Sequence, residues 1–421
     1  MTRFFKRIGN HISDILYLDI VGKKYSMLAL NYVFIMIYST IEGTFVNTLL
    51  YRISPSMSIV ILYRAVVYSV CAIGMQFAAY IAQKRTPITV IKLGAVFFLC
   101  MYLTLFFGMD YMPRIYLLAA VLNGLGGAFY WSAHGIFVAN YTTASTRDIG
   151  ISLLGIIQGV FTLICPVVSG FVIKLMPGNT GYRIMFGIGM LAVIAQIIVH
   201  SKFYPIEQTS HKSQVKLAFK VLREKLSCRF MMLYNFLKGL RDGTFIFIVN
   251  MLLFQIVTDE SLIGINTFLT GLMAITGSWA YGKLVKVDNR VKFSFLSTTS
   301  LIVVCFCLIL KTTAVTMMIY TVLNAFLQLF LLYAIANTDF DVISQDADTR
   351  LCMGELLAFK EIALGSGRVV GLIFVSFFAS GQRGYLIAML ILTITQYAVC
   401  ALLKVAINFM KKDKKTETEP A

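Results

Sequence analysis

The chain has 421 residues, 58% of them apolar and 14% charged, with a mean hydropathy of +0.79. A soluble domain is about 45–50% apolar and about 25% charged, so this surplus cannot be hidden from water and soluble classes are excluded. The balance of 37 Lys and Arg against 20 Asp and Glu, a net +17, would hint at nucleic acid in a soluble protein. In a membrane protein it is the excess that cytoplasmic loops carry, and no nucleic-acid partner is expected.

A helix crossing a bilayer needs about 20 predominantly apolar residues. Residues 1–26 hold Arg3, Lys6, Arg7, Lys23 and Lys24 without a long apolar run, so they read as a cytoplasmic segment rather than a signal peptide. Within them, Phe4 to Leu18 could lie as a helix on the membrane surface. Apolar runs then predict six spans at 27–50, 56–81, 88–108, 114–138, 150–173 and 182–201, together the first bundle (27–201). A basic linker, 202–229, follows, with Val215, Ala218, Phe219, Leu222 and Leu226 at the spacing of an amphipathic surface helix. Six more spans are predicted at 230–255, 261–282, 293–311, 314–336, 352–379 and 384–408, forming the second bundle (230–408), and 409–421 is a tail. The acidic stretch Asp339, Asp341, Asp346 and Asp348 lacks the spacing, glycine and terminal glutamate of a calcium loop and reads as a solvated loop.

Alternate connections, starting with the N-terminal segment, carry 26 Lys and Arg, while the other side carries six. The positive-inside rule therefore predicts that both termini and the linker are cytoplasmic. The two halves also repeat. Glu42-Gly43-Thr44-Phe45 returns as Asp242-Gly243-Thr244-Phe245, Val121-Leu122-Asn123 as Val322-Leu323-Asn324, and Thr146-Arg147 as Thr349-Arg350, at offsets of 200, 201 and 203. Three matches at one period on equivalent helices indicate a duplicated six-helix unit, a plan whose substrate site lies between the halves near the midplane.

Twelve spans in two such halves, with a basic central linker, resemble the major facilitator superfamily across nearly the whole chain. Its loop signature after span two is degraded, leaving Lys84 and Arg85, while the related site after span eight keeps Gly277, Gly282 and Lys283. In span five, Gly159, Pro166 and Gly170 partly match an antiporter signature in which Cys165 replaces a glycine. The run Lys360-Glu361-Ile362 followed by Gly367-Arg368 resembles span eleven of the YqgE-like exporters of Gram-positive bacteria. The fold this implies is an all-α membrane protein of twelve transmembrane helices in two pseudo-symmetric six-helix bundles.

A charge at the bilayer centre costs about 2.5–3.5 kcal/mol on insertion scales, so ionisable residues within spans are functional candidates. Setting aside the 32 Lys and Arg counted with the connections and helix ends, there are nine: Arg64, Lys238, Arg241, Lys360, Arg368, Glu42, Asp242, Glu355 and Glu361. All fall on spans one, two, seven and eleven, helices that line the central cavity in the family resembled. Glu42, Asp242 and Glu361 are candidates for proton coupling, each with the alternative of a fixed ion pair. Glu355 and Lys360, nearer the cytoplasmic end, read as snorkelling. Polar residues sharing faces with these charges extend the candidate substrate site: Tyr38, Arg64, Tyr68, Asn123, Tyr130, His134, Gln158, Asn235, Lys238, Arg241, Asn324, Gln328 and Arg368.

The function expected is secondary transport, as proton-coupled export of an amphiphilic or anionic substrate by alternating access. No phosphate-binding Gly-x-x-x-x-Gly-Lys-Ser/Thr loop and no metal-ligand cluster is found, so an enzyme, a cofactor and a bound metal are not expected. A flippase for an anionic cell-envelope glycolipid is the alternative within transport, and a non-transporting membrane sensor is the alternative outside it. The expected partners are a small molecule or lipid, the proton and the bilayer, and the expected state is a monomer.

Overall fold

The computed structural model describes residues 18–53, 57–176, 179–204, 206, 214–256, 260–378 and 381–418, and these are helical almost throughout. The first bundle contains α1 (Leu18–Ile53), α2 (Met57–Lys84), α3 (Pro87–Phe107), α4 (Met112–Tyr141), α5 (Ala144–Leu175) and α6 (Thr180–His200). The linker supplies α7 (Val215–Glu224). The second bundle contains α8 (Leu226–Asp242), α9 (Phe245–Ile256), α10 (Glu260–Leu284), α11 (Arg290–Leu310), α12 (Ala314–Ile343), the short α13 (Ala347–Leu351), α14 (Met353–Phe377) and α15 (Gln382–Thr418).

Helix boundaries follow local chemistry. Thr86 caps α3 by accepting the Thr89 N–H at 3.1 Å, with Pro87 at the first helical position. Thr313 and Thr316 cap α12 reciprocally. The first helix starts earlier than the hydropathy predicts, and Gly22, at φ +77°, turns its opening segment away from the rest. The seventh span is two helices, because Gly243 and Thr244 interrupt it directly after Asp242.

Among the described residues, eight helices are long and apolar enough to cross a membrane: α2 to α6, α11, α12 and α15. Eight of the nine intramembrane ionisable residues fall on α1, α8 and α14, which are outside that set. On α14 the charges themselves lower the hydropathy, while α8 is only 17 residues long because the span breaks after Asp242. Within the first bundle α2 and α3 pack on α4, and α1 packs on α5 and α6. Within the second, α8 packs on α14 and α15, and α12 on α10 and α11. The bundles meet along two seams, α5 against α10 and α2 against α14.

At the linker end, α7 buries Ala218 and Val221 and leaves Phe219 60% exposed beside Lys216, Lys220 and Arg223. The segment Phe4 to Leu18 lies outside the described residues apart from Leu18. The acidic stretch departs from the solvated loop expected. Helix α12 runs on to Ile343, and Asp339 and Asp341 are both buried in its last turns. They persist there because each meets cationic or hydrogen-bonding partners from other helices, which hydropathy cannot register.

Asp346 caps α13, accepting the Thr349 N–H at 3.0 Å, and forms an ion pair with Lys225 at the end of the linker. Burial by itself would raise this carboxyl, but the Lys225 and Thr349 hydrogen bonds outweigh it and hold it below the usual carboxylate range. A carboxylate with a depressed folded pKa stabilises the fold above its unfolded value, and the stabilisation is lost as pH falls through the folded one. The melting temperature is therefore expected to fall as pH drops below about 4, and Asp346→Asn to be cleaved faster than the wild type by trypsin within the linker at neutral pH. Equal cleavage of both proteins at pH 7 would remove the role given to this pair.

Candidate functional site

Three of the four intramembrane acids, Glu42, Asp242 and Glu361, are placed beside a base, as the cost of an isolated charge in hydrocarbon favours. Glu42, on α1, accepts the Tyr63 hydroxyl at 2.9 Å and pairs with Arg64 of α2 at 3.3 Å. Asn123 of α4 donates to the same Tyr63 oxygen at 3.3 Å, and Arg64 also reaches the Gly43 carbonyl at 3.4 Å. The Glu42 side chain is 8% exposed, a carboxylate held by two adjacent residues of α2.

The second bundle arranges its charges differently. Helices α8 and α14 approach at backbone distance: a Cβ on Gly367 would overlap the Phe236 carbonyl oxygen and lie 3.0 Å from its carbon. That closeness brings two ion pairs side by side. Lys238 pairs with Asp242 one turn along α8 at 3.5 Å, and Arg368 pairs with Glu361 two turns back along α14 at 3.1 Å. The Arg368 guanidinium also sits 5.1 Å from the Tyr68 ring centroid, crossing the seam to α2. Tyr68 lies one turn beyond Arg64, so Glu42, Arg64, Tyr68, Arg368 and Glu361 form a ladder between the bundles, with Asp242 and Lys238 alongside. Asp242 is 27% exposed, against 8% for Glu42.

Arg241 differs from the other three bases. It is 6% exposed and, among the described residues, pairs with no carboxylate. Its guanidinium donates to Asn324 at 2.8 Å and Gln328 at 3.4 Å, lies 3.6 Å from the Phe245 ring centroid, and leaves Nε without a partner. The structure thus joins Arg241, Asn324 and Gln328, which the sequence nominated separately.

The remaining candidates line the first bundle. Tyr38 is fully buried and donates to Gln196 of α6 at 3.0 Å. Tyr130, also fully buried, accepts from Asn31 at 3.1 Å and stacks on His134 with centroids 5.4 Å apart. His134 is further enclosed by Tyr32 and Trp131. The Tyr32 hydroxyl donates to Gln158 at 3.4 Å. Trp131, 39% exposed, and Gln158 are the members of this group that stay exposed.

A second constellation closes the seam at the linker end. Arg290, at the start of α11, is 1% exposed and holds Asp148 of α5 through bonds of 2.6 and 2.9 Å while pairing with Asp341 of α12 at 2.5 Å. Arg147 of α5 pairs with the other oxygen of Asp341. Tyr281 of α10 donates to Asp148 at 3.1 Å, and Ser152 of α5 donates to the Ser278 carbonyl of α10. Two guanidiniums and two carboxylates from both bundles are therefore mutually satisfied, out of water. Sequence reasoning missed all four because they stand at helix ends, where charge normally marks the bilayer boundary.

Asp339 is the other acid it missed, 3% exposed and accepting from Tyr234 at 2.6 Å and Asn235 at 2.8 Å. Lys360 turns inward to within 3.9 Å of it instead of snorkelling. Glu355 does not snorkel either. It is 2% exposed and accepts from Gln83 and from the Gln214 backbone at 2.8 Å.

Comparison with known proteins places this geometry. The profile of the Major Facilitator Superfamily matches residues 25–345. YqgE of Bacillus subtilis strain 168 is 26% identical over 334 residues, 79% of this chain and 77% of that protein. The human organic anion transporter MFSD10 superposes with a TM-score of 0.72 at 13% identity, covering 90% of this chain and 98% of that one. The transporter FucP in its outward conformation, from E. coli, gives 0.71 at 12% identity, covering 92% and 99%.

Proposed function

The chain belongs to the major facilitator superfamily and is a multi-pass secondary transporter, and from that premise we propose that it exports an anionic amphiphile by proton-coupled alternating access. The observation that carries this reading is the ladder of ion pairs between α1, α2, α8 and α14. A carboxylate paired with a base inside a membrane has two stable states. Ionised, it holds its partner; protonated, it releases it, and the two bundles can rearrange around the freed base. Asp242 and Glu361 suit this exchange better than Glu42, which Tyr63 and Arg64 hold from a neighbouring helix.

Arg64, Lys238 and Arg368 are each neutralised by an acid of this chain, while among the described residues Arg241 has amide and aromatic partners and no carboxylate. One uncompensated base suits a singly charged carboxylate or phosphate better than the multiply charged head group of an envelope glycolipid, and so favours an exporter over a flippase. MFSD10, which shares the fold, transports organic anions. The exposed Trp131 and Gln158 would meet the apolar part of such a substrate. With 26 basic residues on the linker side, that face is cytoplasmic, the termini lie inside, and the closed seam makes this an outward-facing state, as in the FucP structure.

The test begins with a thermal-shift panel of carboxylated, phosphorylated and cationic amphiphiles on the purified protein. Stabilising compounds are then followed in liposomes under an imposed pH gradient. Asp242→Asn and Glu361→Gln should each abolish gradient-driven flux while leaving the protein folded, with Glu42→Gln the milder variant. Full transport by both Asp242→Asn and Glu361→Gln would sink the proton-coupling assignment, and stabilisation by cations alone would sink the substrate class.

A further inference from the structure

Of the five intramembrane bases, Arg241 is the one that pairs with no carboxylate among the described residues. The duplication shows how this came about. Glu42 and Asp242 correspond, as do Asn123 and Asn324, so the counterpart of Arg241 is the apolar Ile41. In the first bundle Asn123 donates to Tyr63 and Tyr63 to Glu42, an acid that Arg64 neutralises. In the second bundle Asn324 instead accepts from Arg241, and a positive charge is left over. A buried guanidinium without an anion is costly, and amides and a ring face offset that cost only in part.

Along α12, Tyr320, Asn324 and Gln328 occupy successive turns of one face. Arg241 meets them in order: Nη1 donates to Gln328 and Nη2 to Asn324. Nε shares an edge of the guanidinium with Nη2, which turns it toward Tyr320. Both groups at that end are unfinished, because Arg241 Nε and the Tyr320 hydroxyl are each buried without a partner. The hydroxyl lies close to Arg241 and to Thr393 of α15 without a well-formed hydrogen bond to either. Thr393 donates its own proton to the Met389 carbonyl at 2.7 Å. Tyr320, Thr393 and the neighbouring Cys305 of α11 are fully buried, and the Phe245 ring of α9 lies 6.3 Å from that of Tyr320. Two donors and one positive charge thus stand together inside the second bundle, enclosed from four helices.

We propose that Arg241 Nε and the Tyr320 hydroxyl hold a chloride ion in the substrate-free protein. A halide is monovalent and cancels the one charge left over. It accepts from an N–H and an O–H without needing further donors, and it is compact enough for a sealed site. Sulfate would bring two charges and four acceptor oxygens to the same two donors, so it is excluded by charge and by hydrogen-bond count. The half-buried Gln328 marks the side of the guanidinium open to a substrate, whereas the enclosed Nε side suits a small ion. The inference rests on the reading that Arg241 meets the anionic group of the substrate. When that group leaves, chloride keeps the guanidinium from standing alone in hydrocarbon.

Equilibrium binding of radioactive chloride to the purified full chain, dialysed free of halide into gluconate, tests the site without any substrate. Saturable binding of a single ion is expected, displaced by bromide and not by sulfate. Tyr320→Phe keeps the ring and should weaken chloride binding by about tenfold or more, because a hydrogen bond to an ion is lost. In gluconate the same variant should melt no lower than the wild type, since the hydroxyl has no partner to lose. Chloride should then raise the wild type above it. No saturable binding by the wild type overturns the proposal. Displacement by sulfate as readily as by bromide overturns it too, as ions condensed on a chain of net charge +17 would behave that way. Undiminished binding by Tyr320→Phe does the same. A protein that moves anionic amphiphiles but binds no chloride rejects this site alone, and one that binds chloride but moves no anion rejects the substrate reading alone.

Discussion

Replacing Arg290 by glutamine is expected to open the linker face. Its side chain is 1% exposed and bonds both Asp148 and Asp341, which come from opposite bundles. Without it, Arg147 is the one remaining guanidinium for two buried carboxylates. Breaking a buried ion pair by removing one partner costs about 3–5 kcal/mol, more than a hundredfold in an equilibrium at about 1.4 kcal/mol per factor of ten. In a single packed core that cost would appear as unfolding. Here the network spans a seam, so separating the bundles at that end lets water solvate the stranded acids while each bundle keeps its own packing. Spin labels on Ser145 and Lys292, flanking the network, should report one short distance in the wild type and a longer, broader distribution in Arg290→Gln. An unchanged distribution in the variant would show that the network does not hold the seam.

Two glycine substitutions should separate the gate from the fold. A Cβ on Gly155 of α5 would overlap the Tyr333 hydroxyl and lie 2.5 Å from its ring carbon and 2.8 Å from Ser278 Oγ, both in the second bundle. A Cβ on Gly367 would collide with the Phe236 backbone in its own bundle. Gly155→Ala therefore loads the closed seam, and the protein relieves the overlap by opening it. Gly367→Ala has no such escape, because α8 and α14 must stay packed in every state. Overpacking costs about 1–3 kcal/mol, occasionally more, so Gly367→Ala should lower the melting temperature by several degrees. Gly155→Ala should leave melting nearly unchanged and lengthen the Ser145–Lys292 distance, with Tyr333→Ala in the same chain restoring it. A Gly367→Ala protein as stable as the wild type would contradict the close helix approach.

How much of the site was readable in advance depends on where each residue sits along its helix. Glu42, Arg64, Lys238, Asp242, Glu361 and Arg368 stand in mid-span, where an ionisable group contradicts its surroundings and is conspicuous. Their pairing was not readable, because Glu42 and Arg64 lie on different helices while Lys238 and Asp242 share one. The duplicated acid-Gly-Thr-Phe motif even suggests equivalence where the structure shows divergence: α10 has no base at the position matching Arg64, so Asp242 turns to its own helix. Asp148, Arg290 and Asp341, by contrast, occupy terminal turns. A charge there is ordinary in any membrane helix, and composition cannot distinguish one that meets water from one enclosed between two bundles.

The sequence by itself determined the solvent, the helical class, the duplicated plan and the identity of the mid-membrane charges. Each of these follows from the local cost of placing a side chain in hydrocarbon, which a window of residues already expresses. Tertiary structure alone decided which charges neutralise one another, that Arg241 is left to amides, that Asp339 and Asp341 are interior, and that the seam is closed at the linker end. Those outcomes depend on contacts between residues as much as 194 positions apart, such as Arg147 with Asp341. Electrostatic partnership is a property of distance in space, and no local pattern of hydropathy encodes it.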